Sequence, residues 1–352
     1  MPVGIAAGTR PRHNPPLAGW LRRTGKQSMV SVRVVASLLG LLGATAASAQ
    51  PPQYVLISFD GANDNALWER SLALGDETGA RFTYFLSCVY LLAPEDRRVY
   101  QPPGMKAGRS NVGVGASRAD VAWRLGHIWA AYQTGHEIGS HGCGHFDGKD
   151  WTKADWTAEF GQFDRILRTA WERNGLDAPA GWAALATNGI RGFRAPYLST
   201  GSKLDAALSQ AGLAYDASTV SRGPQVPARV GERVEFALPM IPEGPSNRRI
   251  IAMDYNLFVR HSGGIDRPSG AGEFAERTYQ AFASAFDAEY AGERRPLQMG
   301  FHFQLMNGGA YWTALERFAR ETCVKPDVRC VTYTDWMRDN PAAPDSDDPA
   351  GG

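Results

Sequence analysis

The side chains best suited to chemistry in this sequence stand where short apolar runs give out into turns containing glycine or proline. The run 54–59 ends in Asp60-Gly61. An acid at the exit of an apolar strand can hold a metal or act as a base, although Asp-Gly alone is an ordinary turn. The stretch Gly135-His136-Glu137-Ile138-Gly139-Ser140-His141-Gly142-Cys143-Gly144-His145 carries two histidines four residues apart. On one helical turn that spacing points both imidazoles the same way. Two imidazoles supply half of a tetrahedral zinc shell and leave room for a carboxylate and a water. An HxxxH also arises by chance; here glycines flank it at a strand exit. His136 precedes the strand and reads as structural. Phe193-Arg194-Ala195-Pro196-Tyr197 combines a cation with a stiff backbone turn, the plain alternative being a surface ion pair. His302 lies inside the apolar run 299–303, where a lone histidine is more often a satisfied core residue than a catalyst.

These side chains can act together only if the chain brings them to one place. Apolar runs of strand character are predicted at 54–59, 82–86, 137–140, 192–193, 250–253, 297–303 and 330–332. Amphipathic helices are predicted at 65–78, 118–133, 155–174, 202–211, 273–290 and 311–321. Strands followed one by one by helices make βα units and a parallel sheet. About seven such strands in one α/β domain suit an irregular (β/α) barrel, whose chemistry collects at the C-terminal ends of the strands. Each reactive segment is expected at such an end. The Pro/Gly-rich segments 94–117, 221–247 and 261–272 read as long surface loops that shape a functional rim. No segment resembles an interdomain linker, and no internal repeat is visible. The tail 341–352 has the composition of a disordered segment.

Composition narrows the function. The chain has 352 residues, 43% of them hydrophobic, and a formal net charge of +1. That charge argues against a dedicated binder of nucleic acid or of an anionic membrane, both of which usually carry a marked basic excess. Residues 1–49 read as an N-terminal extension and secretory signal. Arg33, the apolar run 34–46 and Ala47-Ser48-Ala49 are its basic, apolar and cleavage-site parts. The run is too short to span a bilayer, which takes about 20 apolar residues, so no stable membrane insertion is expected. Met29-Val30-Ser31-Val32-Arg33 with the apolar core is a complete signal by itself, which makes Met29 the expected start; a long basic region beginning at Met1 is the alternative. The expected product is exported, periplasmic or secreted. Four cysteines fit an oxidising compartment. Cys323 and Cys330 could close a short Pro/Asp loop, which would leave Cys88 to Cys143, although four cysteines allow three connectivities.

Asp-Gly, HxxxH, Arg-x-Pro-Tyr and a late strand histidine occur in the order and roughly the spacing of the polysaccharide deacetylases, the NodB-homology or carbohydrate esterase family 4-like family. The chain resembles that family from about Tyr54 to Asp335. The resemblance implies a catalytic domain over 50–340, a NodB-type barrel and a divalent metal, most often Zn2+, held by one Asp and two His. It implies that His141 and His145 are the metal histidines and that Arg194 orients the catalytic carboxylate. Tyr197 would help form an oxyanion hole through its backbone N–H, and His302 would be the general acid. The implied activity is hydrolysis of acetyl groups from an N-acetylated glycan, or from an O-acetylated one.

Two departures bear on the site. The family's first motif usually has two aspartates, base then ligand, whereas this chain has Asp60 and then Gly61. Asp60 is therefore either the base or, with a one-residue gap, the ligand, the reading favoured because two histidines alone would bind metal weakly. Asp64 is then the nearest spare carboxylate for the base, its plain reading being a helix N-cap. Gly142 stands where the family prefers Ser or Thr, which removes a supporting hydrogen bond. Asp216 and Asp254 are the candidate acidic partners of His302. Among the tryptophans 123, 129, 151, 156 and 312, any could stack on sugar rings, but core packing is expected at Trp123 and Trp129. The rival readings are a catalytically weak glycan-binding module on the same fold and a related amidohydrolase acting on a small cyclic amide.

Overall fold

A computed structural model of the protein describes residues 50–341. The expected leader, and all of the expected tail beyond Pro341, lie outside the described residues.

Ten strands form one curled sheet: β1 Gln53–Gly61, β2 Thr83–Leu86, β3 Glu137–Ser140, β4 Gly192–Phe193, β5 Tyr215–Ser221, β6 Ala228–Val230, β7 Arg233–Glu243, β8 Arg248–Ile251, β9 Leu297–His302 and β10 Val328–Cys330. The path runs β10-β1-β2-β3-β4-β5-β7-β6, with β9 also on β1 and β8 on β7. All pairings among β1 to β5, β7, β9 and β10 are parallel; only β6 and β8 run antiparallel to β7. The curl brings β9 back towards β7. Gly300 N–H donates to Ala252 C=O, and Ala252 N–H to Pro239 C=O, each at 2.9 Å. This is a mixed α/β architecture of the irregular (β/α) barrel kind. Because the strands are parallel, the exits of β1, β3, β4 and β9 all open on one rim.

Local signals account for the helices. Asn65–Thr78 starts at Asp64, whose carboxylate accepts the Leu67 N–H at 2.9 Å, and stops at Gly79 with φ 72°. Arg118–Gln133 is capped by Ser117, and Ser202–Ala211 ends at Gly212. These three have the expected bounds. The expected helix 155–174 is Lys153–Arg168 followed by Ala170–Arg173 and starts in a Thr152/Asp155 capping box.

The sequence reading fails at 215–247 and at 254–262, while the strand expected at 250–253 is present as β8, shifted by two residues. Segment 221–247 is not a loop: it holds β6 and the whole of β7, and β5, which ends at Ser221, went unread. Pro239 and Pro242 lie within β7, and prolines in a sequence argue against a strand interior. In β5, Asp216 and Ser218 are buried but bonded to one another, which hides the alternation of apolar and polar residues. The start of segment 261–272 closes a helix, Asp254–Ser262, ended by Gly263. Trp123 corrects another expectation, being 66% exposed, while Trp156 and Trp312 are buried. Cys88 pairs with Cys143 and Cys323 with Cys330. Such bonds persist in oxidising compartments. Among the described residues no helix is long and apolar enough to cross a membrane.

Candidate active site

Parallel register brings two of the expected residues level with each other. Asp60, next to last in β1, lies opposite His302, last in β9. One strand pair away, Ser140 at the end of β3 lies opposite Phe193 in β4, so His141 and Arg194 leave the sheet side by side. Asp60, His141, His145, Tyr197 and His302 all line one cavity of about 590 Å³.

Arg194 organises the floor of this cavity. Its guanidinium is fully buried and donates to Asp60 Oδ1 at 2.9 Å, Ser58 Oγ at 2.7 Å, the Tyr333 hydroxyl at 2.7 Å and Ala217 C=O at 3.0 Å. Phe85 stacks beneath it at 4.5 Å. This is the fixed, planar use of arginine that lysine could not replace. The plain alternative, a surface ion pair, is excluded by burial. Burial alone would raise the Asp60 pKa, but Arg194, with His141 and His302, outweighs it and holds the carboxyl below its usual value. Asp60 is thus an anion with one oxygen committed to Arg194.

The histidines differ in charge. His141 Nδ1 lies 2.7 Å from Arg194 C=O; a carbonyl only accepts, so Nδ1 carries the proton and the Nε2 lone pair is free for a ligand. Burial pulls its pKa down to about 3, Asp60 opposing and His145 adding to the fall. His145 is also pulled down, by burial first and then by His302. Their rings are 5.1 Å apart between centroids, and the Tyr197 ring is 5.0 Å from that of His145. His302 is the reverse case. Its Nδ1 lies 2.6 Å from Asp254 Oδ1, and its backbone N–H donates to Asp254 Oδ2 at 2.7 Å. Burial lowers the His302 pKa, yet the fully buried Asp254 more than compensates, and the net shift is upward.

Four outcomes bear on the expected residues. Asp64 takes its plain reading as the cap of the helix that follows and is not part of the cavity lining. Asp254, not Asp216, partners His302; Asp216 bonds Ser218, whose hydroxyl takes the Ala195 N–H at 2.8 Å and so supports the Arg194 turn. Asp60, His141 and His145 line the same cavity. Among the described residues no group of three or more His, Cys, Asp or Glu side chains could hold a metal ion. The two imidazoles do meet, but Arg194 holds Asp60 by Oδ1. The HxxxH does not form a helical turn: Gly142 has φ 66° and His145 φ 54°, so a loop with left-handed residues brings the rings together. Gly61, where the second aspartate of the motif would stand, has φ 85°, a backbone conformation that favours glycine.

A divalent metal remains compatible with the two histidines by their donor chemistry. Both are held neutral, and His141 Nδ1–H is fixed by a backbone carbonyl, the usual second partner of a metal-bound imidazole. Sequence reasoning missed Ser58 and Tyr333, which bond Arg194, and Glu159 beneath the histidine loop. Tyr333 lies 139 residues from Arg194 and carries no local signal.

No protein-family model and no curated protein matches the sequence. Solved structures do. One described as a polysaccharide deacetylase from Mycobacterium smegmatis is similar with a TM-score of 0.52 at 16% identity, over 85% of this chain and 94% of that one. Another, described in the same terms and from Pseudomonas aeruginosa PAO1, gives 0.49 at 17%, over 82% and 92%. A CE4 family pseudoenzyme from Bacillus anthracis gives 0.43 at 10%, over 81% and 65%. The likeness to the Mycobacterium smegmatis structure identifies the architecture: this chain has the NodB-type fold of the polysaccharide deacetylases.

Proposed function

We propose that the protein hydrolyses acetyl groups from an N-acetylated glycan, with O-acetylated glycans as a chemically related alternative. The observation that carries this reading is the pairing across one cavity of a carboxylate held by a buried arginine, Asp60 with Arg194, and an imidazole whose protonated form is favoured by a buried acid, His302 with Asp254. Amide hydrolysis needs a group to take a proton from water and another to give one to a departing amine, and these two are set in opposite states.

Asp60 is the base. Arg194 fixes its carboxylate and leaves Oδ2 to receive the proton of the attacking water. The oxyanion is met by the backbone N–H of Tyr197 at the cavity edge, a donor of the kind that stabilises tetrahedral intermediates. His302 then protonates the amine, which is a poor leaving group, through Nε2 while Nδ1–H stays on Asp254. A divalent metal held by His141 and His145, with zinc the expected ion, would supply Lewis acidity towards the acetyl carbonyl and the water. The same chemistry would act on the glycan of a cell wall after export, with the two disulfides and the sequence of residues 1–49 as the grounds for export.

The test is acetate release from oligomers of N-acetylglucosamine, from peptidoglycan and from O-acetylated xylan. His302→Ala should lower it about 10²–10⁴-fold, the usual contribution of general acid catalysis, with glycan binding retained. If wild type binds such a glycan and releases acetate from none, the protein is a binding module. Asp254→Asn gives a second check through pH. In wild type Asp254 raises the His302 pKa, so the acid form persists to higher pH and activity falls on the alkaline side. Without that carboxylate, burial dominates and the His302 pKa drops. The alkaline limb of kcat/KM should therefore move to lower pH; an unmoved limb would assign it to another group.

A further inference from the structure

Beneath the two cavity imidazoles lies a carboxylate that the proposed chemistry does not use. Glu159, on the helix Lys153–Arg168, is 2% exposed. It accepts the backbone N–H of Cys143 at 2.7 Å and of Gly144 at 3.4 Å, and the Tyr100 hydroxyl at 2.9 Å. No Lys, Arg or His forms an ion pair with it among the described residues. A buried acid without a cation is costly unless its hydrogen bonds are well made, and here they are made to the backbone between His141 and His145.

That backbone needs holding. Gly142 and His145 both have left-handed φ values, and a non-glycine residue there is strained. The loop is tied through its imidazole and carbonyls: His141 Nδ1–H donates to Arg194 C=O, Asn111 Nδ2 to His145 C=O, Cys88 N–H to Gly142 C=O and Asn111 N–H to Gly144 C=O. The Cys88–Cys143 disulfide adds a covalent tie, and Glu159 is the acceptor that takes the N–H groups of Cys143 and Gly144. Gly142 also matters for this contact, since a Cβ there would sit 3.2 Å from Glu159 Oε1. Where a hydroxyl side chain was expected to brace the loop from within, a carboxylate braces it from the neighbouring helix.

We infer that Glu159 is a positioning residue for a divalent cation: by holding the Cys143 and Gly144 N–H groups it sets the spacing and facing of the His141 and His145 imidazoles. This rests on reading those two histidines as metal-binding. The experiment titrates the full-length protein, stripped with a chelator, with Co2+ and with Zn2+, and records Kd and the Co2+ absorption bands. Glu159→Ala should bind Co2+ about 10–100-fold more weakly, as loss of an outer-sphere partner usually does. Glu159→Gln should restore near wild-type affinity, because its Oε1 still accepts from Cys143 N–H and its amide can donate to the Tyr100 hydroxyl. A Glu159→Ala protein with a lowered Tm but unchanged Kd and Co2+ spectrum would overturn the inference and leave a merely structural role. Wild type that binds neither ion would remove the metal reading and this inference together. Should Glu159→Ala fail to fold, Tyr100→Phe takes the hydroxyl that fixes the carboxylate. A weaker Co2+ Kd in that folded variant supports the inference, and an unchanged one overturns it.

Discussion

Asp60→Asn is expected to lower acetate release by about 10²–10⁴-fold while uptake of Co2+ or Zn2+ by the protein stays close to wild type. The amide is the same shape as the carboxylate and can still accept from Arg194 through Oδ1, but it cannot take a proton from water. The prediction separates the two roles open to Asp60 in the sequence. A ligand would carry metal away with it; a base would carry away only rate. The 2.9 Å contact with Arg194 favours the base. Metal content and acetate release measured on the same preparation decide it, and a parallel fall in both would make Asp60 a ligand.

Arg194→Leu should cost about 3–5 kcal/mol of stability, the usual result of stripping one partner from a buried ion pair. The residue lost is a fully buried cation with four acceptors, and its removal leaves Ser58, Tyr333 and Ala217 C=O short of a partner as well as Asp60. The pH dependence has a definite sign. In wild type the folded-state pKa of Asp60 is depressed, so its ionisation adds stability that is fully present above the unfolded value of roughly 4 and is lost as pH falls through the lower folded value. In Arg194→Leu only burial would act strongly on that carboxyl, and its pKa should rise. The stability difference between variant and wild type should therefore be largest at neutral pH and shrink towards pH 4 and below. Urea midpoints at several pH values measure it. A difference that stays constant with pH would mean that the arginine stabilises the fold without acting through Asp60.

The helices were legible because their signals are near neighbours in sequence. Asp64, Ser117 and Gly212 act on N–H or C=O groups three or four residues away, so the bounds of three helices could be read directly. The strands β5 and β7 were not. Their polar residues and prolines look like a loop until the neighbouring strands supply partners, as Ser218 does for Ala195 and Pro239 C=O does for Ala252. The open pairing of Cys88 with Cys143 likewise depended on the turn after β3 reaching the turn after β2.

Sequence alone determined the reactive inventory: an acid near the end of β1, two histidines after β3, an arginine after β4 and a histidine at the end of β9. Strand exits can be recognised from a few consecutive residues, and a parallel sheet puts every exit on one rim. Tertiary structure alone decided which group each of them meets. Asp60 lies 134 residues from Arg194, and His302 lies 48 from Asp254. Closure of the barrel selected Asp254 over Asp216. It also turned the HxxxH into a left-handed loop rather than a helical turn. Such choices rest on burial and charge pairing between distant segments, and those terms exist only once the sheet has curled.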